Sequence, residues 1–336
     1  MGSSSSEDYI QLPKIDFSLL NNRKLLDSNR VYDSIKTQVL EALQKYGCFQ
    51  ASIDGITPEL QKSVYGAAKH LFNLPLETKY KNVSNGTFIG YMGNSPLLPL
   101  YESMGIQDPH VAEKVVNFTN LMWPPQGNPQ ISNDIHLYVE KLWELTTMTR
   151  KIVFESLDLE KYLDEHNELA SYVLKFNKYR VPEPNEANLG LHSHADPGIM
   201  TILHQNEVEG LEIQTKDDDE WLKVKLSPNT FIVMTGETIN VWLNGRLHVP
   251  LHRVIMRENY MARYTLAFFE LPRPGNLIIK AIDDMVDNEH PLLFKPFDYG
   301  EFVKLSVTGG QGIQKYAVKA YCGVSKRQGD GIDQSS

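Results

Sequence analysis

The hydrophobic pattern of this chain changes its period near residue 172. Up to that point apolar residues recur three and four apart. Beyond it, "YVLKFNKYRV", "GIMTILHQ", "GLEIQTK", "EWLKVKL", "TFIVMTG", "HRVIMR" and "RYTLAFFEL" are short apolar or alternating runs separated by turn residues. Period two over four to eight residues is the mark of a strand. Seven or eight such strands with "TKDDDEW" and "LSPNT" as hairpin turns predict a sandwich or jelly roll.

The first part reads mainly as helix. Val31, Ile35, Val39 and Leu43 keep helical spacing, with Ser28 as a cap and Gly47 as a stop. "GITPEL" places Thr57 at an N-cap and Pro58 at the first helical position. Residues 73–130 are rich in Pro, Gly and Asn and read as long loops with short strands. Ser132 or Asn133 then caps a long helix bearing Ile135, Val139, Leu142, Ile152 and Val153. A further helix is expected over 159–171, and others near 298–306 and 312–321. The expected organisation is one unit: a mainly helical region over 1–170, a strand-built core over 171–275, and a helical cover with a disordered tail over 276–336.

Charge and cysteine content narrow the function classes. The net charge of −9 and pI of about 5.6 argue against a nucleic-acid partner, whose phosphates need a basic face. Cys48 and Cys322 do not make a disulfide framework, which fits a reducing, cytoplasmic setting. "MGSSSSEDYIQLPKIDFS" lacks the apolar run of a secretory signal, and no stretch approaches the roughly 18 apolar residues of a membrane span. The expected partner is a small molecule, bound by a monomer.

The chemistry concentrates in "LGLHSHADPG". His192, His194 and Asp196 stand at every second position, so in a strand all three face one side. Two readings are open: His-x-His, as in zinc hydrolases and cupin-type sites, or His-x-Asp, two-thirds of a facial triad of two histidines and one carboxylate. Neither pair is specific alone. "NGRLHVPLHRVIM" supplies a distant histidine, His252, with His248 as a competitor. "ARYTLAFFELP" puts Arg263 and Thr265 on one strand face, where a buried guanidinium calls for an anion. "KFNKYRV" pairs Asn177 with Tyr179 in the same way. Each of these is otherwise an ordinary sheet residue.

Taken in order, "HADPGIMTIL", "NGRLHVPLHRV" and "RYTLAFF" resemble the His-x-Asp, distal His and Arg-x-Ser signatures of plant 2-oxoglutarate, Fe(II)-dependent dioxygenases. "LPKIDFS", "YGCFQ" and "FNLPLETK" resemble that family's N-terminal region. "PLYESMGI", "NFTNLMWP" and "FIVMTGETINVWLNGRLH" resemble the subgroup that includes glucosinolate side-chain and steroidal glycoalkaloid dioxygenases. The resemblance implies an α+β fold with a double-stranded β-helix (jelly-roll) core flanked by N-terminal and C-terminal helices.

The resemblance also implies roles. His194, Asp196 and His252 would bind Fe(II). Arg263 and Thr265 would hold the far carboxylate of 2-oxoglutarate, with Tyr179 and Asn177 beside them; Thr265 replaces the commoner serine and keeps the hydroxyl. O2 is the second co-substrate and ascorbate the reductant. Tyr101, Met104, Phe118, Leu121, Trp123, Phe269 and Tyr316 are the candidates for substrate contact. The implied reaction is hydroxylation of a bulky plant specialised metabolite such as a steroidal alkaloid, with succinate and CO2 released. Hormone inactivation, desaturation and demethylation are alternatives within the family. A zinc hydrolase using His192, His194 and His252, and a non-catalytic jelly-roll binder, are alternatives outside it.

Overall fold

Two sheets and a helical layer build the molecule, and alternation along the strands decides which side chain faces which. The computed structural model describes residues 9–21, 28–83, 89–216, 219–227, 229–257, 261–275, 277–308 and 317–324. After β1 (Tyr9–Ile10) and β2 (Lys14–Asp16) comes α1 (Ser28–Lys45), whose Ile35, Val39 and Leu43 are buried. Gly47 ends it at φ +67°, where a Cβ would also strike the carbonyl of His248. Then follow β3 (Cys48–Ser52) and α2 (Pro58–Asn73), the latter capped by Thr57, whose hydroxyl accepts the Leu60 N–H at 3.2 Å.

The stretch expected as loops is more regular than expected. It holds α3 (Leu76–Lys79), β4 (Tyr101–Gln107) and α4 (Ala112–Met122). Val115, Phe118, Thr119 and Met122 form the buried stripe of α4, which its Pro- and Gly-rich flanks obscure in sequence. The long helix α5 (Pro129–Glu155) starts earlier than Ser132 or Asn133. Asn128 is its cap, accepting the Ile131 N–H at 3.1 Å, with Pro129 in the first turn. The helix expected over 159–171 shrinks to a 3-10 turn and α6 (Leu163–Glu168), because β5 (Ala170–Tyr179) claims the rest.

The remaining strands are β6 (Leu189–His194), β7 (Met200–Gln205), β8 (Leu211–Gln214), β9 (Trp221–Val224), β10 (Phe231–Thr235), β11 (His252–Ile255) and β12 (Arg263–Pro272). A short helix, α7 (Glu237–Trp242), separates β10 from β11. The C-terminal part adds the pair β13 (Ile278–Ile279) and β14 (Phe297–Asp298), then α8 (Tyr299–Thr308) and α9 (Ala317–Cys322).

The larger sheet runs β2-β3-β10-β7-β12-β5-β4 and the smaller β1-β9-β8-β11-β6. Residues from both sheets meet between them: Leu203, Ile232, Met234 and Ala267 with Leu211, Ile213 and Val224, and Tyr101 and Tyr179 with Val254. The other face of the larger sheet, with Phe176, Leu266 and Phe268, joins the main core under α1, α2, α4 and α5. The result is an α+β fold with a double-stranded β-helix core between N-terminal and C-terminal helices. No helix among the described residues is long and apolar enough to cross a membrane.

Candidate functional site

His194 ends β6, and His252 begins β11 directly opposite it in the ladder. Their rings lie 4.2 Å apart. Asp196 sits two residues past the strand, in a turn held by α7: the Glu237 N–H donates to the Asp196 carbonyl at 2.8 Å, and the Thr238 hydroxyl to the Pro197 carbonyl at 2.7 Å. The carboxylate oxygen Oδ1 stands 3.6 Å from His194 Nε2 and 3.9 Å from His252 Nε2. One donor atom from each residue lies within 4.8 Å of the other two.

The outward edges of these groups are already occupied. His194 Nδ1 bonds the carbonyl of His192 at 2.8 Å, His252 Nδ1 faces the carbonyl of Pro250 at 3.4 Å, and Asp196 Oδ2 accepts the Thr201 hydroxyl at 2.6 Å. Such partners fix the tautomer and leave Nε2 as the inward donor, the arrangement that orients metal ligands. Burial raises the Asp196 carboxyl, but His252 and His194 outweigh it and hold it well below the usual carboxylate range. Burial and the charge of His194 push His252 down to about 4, against the pull of Asp196. At neutral pH the set is thus an ionised carboxylate beside an uncharged imidazole at His252. For His194, burial lowers the imidazole while Asp196 more than compensates, leaving it above the ordinary value.

His192 offers its carbonyl to His194 and is not part of the metal-ligating group. Strict alternation does not carry it there: the ladder between β6 and β11 is irregular after His252, and the strand ends before Asp196. A zinc site of His192, His194 and His252 is therefore not formed. His248 is tied back through its own N–H to the Leu43 carbonyl at 3.0 Å, outside the metal-ligating group.

A second cluster lies on the row of the larger sheet that faces the smaller one. Arg263 pairs with Tyr179, and Thr265 with Asn177 on one side and Gln205 on the other. Arg263 is fully buried. Its Nη2 donates to Gln205 Oε1 at 2.8 Å, its carbon Cζ lies 5.2 Å from the centre of the Tyr179 ring, and its Nε has no hydrogen-bond partner. No carboxylate among the described residues pairs with it. Burial lowers this guanidinium, with Tyr179 and Tyr65 opposing. A cation left so is costly unless an anion arrives. Asn177 Nδ2 donates to the Thr265 hydroxyl at 2.9 Å and its Oδ1 accepts from Tyr101 at 2.8 Å.

The donor chemistry fits the two groups implied by the sequence. Two nitrogens and one carboxylate suit Fe(II), and a buried guanidinium beside two hydroxyls suits the far carboxylate of 2-oxoglutarate. Independent comparison decides the family. Residues 170–272 match the model of the 2OG-Fe(II) oxygenase superfamily, and residues 12–125 that of the N-terminal region of non-haem dioxygenases, described from morphine synthesis. The chain is 44% identical over 316 residues to the probable 2-oxoglutarate-dependent dioxygenase AOP1.2 of Arabidopsis thaliana, covering 93% of this chain and 95% of that protein.

The chain belongs to the 2OG-Fe(II) oxygenase superfamily. Within it, the crystal structure of the rice dioxygenase for auxin oxidation superposes with TM-score 0.75 at 26% identity, covering 94% of this chain and all of that one. JOX2 in complex with 2OG, Fe and JA gives TM-score 0.72 at 27% identity, covering 91% of this chain and 87% of that one. This oxygenase is an oxidoreductase that uses 2-oxoglutarate and binds iron.

The substrate candidates scatter. Tyr101 lines the cavity through its bond to Asn177, its ring 5.2 Å from that of Tyr179. Phe269 shares the inner row, opposite Thr201. Met104 and Phe118 belong instead to the helical core, where Phe118 stacks on Phe176; packing alone accounts for them. Leu121 is exposed on α4, and Trp123 donates to His70 at 3.1 Å on the helical side. Tyr316 lies outside the described residues. A groove of about 920 Å³ lined by His110, Trp143 and Arg273 opens on that helical side, away from the triad. Gln205, Thr201, Glu237 and Lys175 are site residues that the sequence reading missed. Period two was the available signal for the first, second and fourth, which share rows with Arg263, Phe269 and Asn177.

Proposed function

We propose that this oxygenase hydroxylates an unactivated C–H bond of a bulky, largely apolar plant specialised metabolite, as a cytoplasmic monomer with no nucleic-acid or membrane partner. His194, Asp196 and His252 hold Fe(II). Arg263, aimed by Gln205, and Thr265 hold the far carboxylate of 2-oxoglutarate, with Tyr179 and Asn177 completing that end. When bound, iron and 2-oxoglutarate supply oxygen activation coupled to oxidative decarboxylation. The balance is substrate, 2-oxoglutarate and O2 in; hydroxylated substrate, succinate and CO2 out. Ascorbate serves as the reductant that keeps iron divalent.

The observation that carries this reading is the metal-ligating triad, together with a fully buried Arg263 that pairs with no carboxylate among the described residues. The chain's own residues orient and exclude water rather than exchange protons. Leu203, Val254 and Ala267 line an apolar interior, and Thr201 and the two backbone carbonyls keep the ligands fixed. No residue around the triad favours a steroidal alkaloid over other apolar molecules.

The test is succinate formation and O2 uptake by anaerobically purified protein given Fe(II), ascorbate and 2-oxoglutarate, with and without a plant metabolite extract. Extract-stimulated succinate with a product heavier by one oxygen supports hydroxylation. A product lighter by two hydrogens would point to desaturation. No stimulation by any extract, with iron bound, would sink the reading.

A further inference from the structure

The groove on the helical side takes no part in the oxygenase chemistry, yet its lining is chemically specific. Its volume of about 920 Å³ is within the range of small-molecule sites. It opens between the start of β5, the end of β4 and the helices α4, α5 and α6. β12 runs from Arg263 to Pro272, and Arg273, next in the chain, lines the groove. At about 3.3 Å per residue, that strand separates the two arginines by roughly 30 Å. A ligand in the groove would touch neither iron nor 2-oxoglutarate.

Part of the lining is aromatic. The His110 and Trp143 rings lie nearly parallel, their planes 10° apart and their centres 6.0 Å apart, and His110 meets the Tyr172 ring edge-on at 5.0 Å. Trp143 is 38% exposed, so its indole presents ring area to the groove. His110 Nδ1 has no hydrogen-bond partner, an unusual state for a buried ring nitrogen. Part of the lining is cationic. Arg273 acts electrostatically on His110, and its Nη2 donates to the Ala170 carbonyl at 3.4 Å. Neither Arg273 nor Lys114 of α4 meets a carboxylate among the described residues, and Lys151 of α5 has only Glu155 at 3.7 Å. The acidic groups of the lining are Asp108, which accepts the Tyr172 N–H at 3.2 Å, and Asp164. Three cations therefore meet two carboxylates, on a chain whose net charge is −9. We infer that this groove is a second binding site, and that it takes a flat aromatic monoacid: the rings stack on Trp143 and His110, and the carboxylate pairs with Arg273.

Each part of the ligand answers a part of the lining. A guanidinium and a carboxylate form two parallel hydrogen bonds, and an exposed indole offers its face to another ring. One negative charge is what three cations beside two carboxylates leave unbalanced. A flat cation could also lie on the indole, but Arg273, Lys114 and Lys151 would repel it. A neutral ring would leave Arg273 without its counter-ion. Binding there requires neither iron nor co-substrate, so it stands apart from the dioxygenase reading.

The test is equilibrium dialysis of the full chain, without metal, against naphthalene-2-carboxylate. Naphthalene-2-methanol, naphthalen-2-ylmethylamine and cyclohexanecarboxylate separate the contributions of charge and of the flat ring. The acid should bind at one equivalent. The alcohol and the cyclohexane acid should each bind about tenfold more weakly, and the amine more weakly still. Arg273→Gln should weaken the acid about fivefold and leave the alcohol unchanged, so that the preference for the acid shrinks. Arg273 is exposed, so this variant does not put folding at stake. Trp143→Leu should weaken acid and alcohol together, about tenfold. Arg263→Met should stay within about twofold of wild type, because that arginine lies in the other cavity. Equal binding of acid and alcohol, or wild-type affinity for the acid in Arg273→Gln, would overturn the inference. So would the absence of saturable binding. Loss of the acid in Arg263→Met, with Arg273→Gln unaffected, would move it to the oxygenase cavity and equally overturn the second site, leaving the dioxygenase reading intact.

Discussion

Two buried arginines flank the larger sheet, and they mean different things. Arg150 comes from α5 on the helical side. It pairs with Glu270 of β12 and with Asn167, and Glu270 also accepts from Thr146 at 3.2 Å. Arg263 stands on the same strand β12, in the row that faces the other way. Both arginines are essentially unexposed, and both leave Nε without a partner. The difference is the carboxylate. Arg150 has one within the fold, so its charge is settled before any ligand binds. Arg263 has an amide, two hydroxyls and an aromatic ring, so its counter-ion must come from outside. Burial of a charge is therefore not itself a sign of function; the absence of an internal counter-charge on the cavity side is.

Loss of the metal ligands should give the largest effect on the inner face. Asp196→Ala or His252→Ala is expected to lower succinate formation at least about a thousandfold and to abolish stoichiometric iron binding, with the far-UV spectrum unchanged. Iron retained at full occupancy by either variant would remove the triad from the account. On the outer face the largest effect is on stability. Glu270→Ala strands Arg150 as an unpaired buried cation and should cost about 3–5 kcal/mol in urea unfolding. Arg263→Met should do the reverse. It removes an uncompensated charge, so stability should hold or rise, while the KM for 2-oxoglutarate rises about a hundredfold. If Arg263→Met destabilised as much as Glu270→Ala, the contrast between the two arginines would collapse.

Acid stability belongs to the helical side as well. Burial pushes His204, which bonds Tyr138 at 2.8 Å, and His166, packed on Trp242, down to about 4. For His166 the neighbouring Arg150 adds to the effect. An unfolded histidine titrates near 6.5, so between about 6.5 and 4 the unfolded chain binds more protons than the fold. Stability from each is fully present above that window and is lost as pH falls through it, on the order of 2–3 kcal/mol per histidine. Urea midpoints at pH 7 and pH 5 should show this slope in the wild type and a shallower one in His204→Asn. Parallel slopes would mean that His204 is not held neutral.

How much of this was legible depended on whether a residue's meaning is local. His194, Asp196, His252, Arg263 and Thr265 were readable because short motifs and period two report them together. Phe118 and Met104 lie in the helical-side core, a placement the sequence does not report: an apolar residue signals burial but not which layer buries it. Lys175 was hidden because a charged residue in an alternating strand reads as the solvent face. On β5, paired on both sides by β12 and β4 and buried along almost all its length, there is no solvent face. The helix α7 was hidden too, since "GETINVW" follows a strand without a break in its apolar content. Its place is set by tertiary contacts: the Gly236 N–H donates to the Ile199 carbonyl at 3.0 Å, and its lack of a Cβ lets the chain pass against Gly198.

The finest separation of the two faces comes from Thr265, whose hydroxyl has a partner in the protein and a proposed one in the co-substrate. Asn177 Nδ2 donates to it at 2.9 Å, which leaves the hydroxyl proton available to an anion at Arg263. Thr265→Val keeps the shape and the β-branch, so packing against its ladder neighbours Asn177 and Gln205 should change little. It removes one donor to the ligand and one acceptor for Asn177. Because the Arg263 pairing remains, the KM for 2-oxoglutarate should rise only about tenfold, near the worth of one hydrogen bond to a charged group. Thr265→Ser should stay within about twofold of wild type. The stability cost of the valine comes from the stranded Asn177 amide and should be near 1 kcal/mol. A tenfold effect reproduced by Asn177→Ala, with no further loss in the double variant, would show that the hydroxyl acts through Asn177 alone. Independent losses would place Thr265 on the ligand itself.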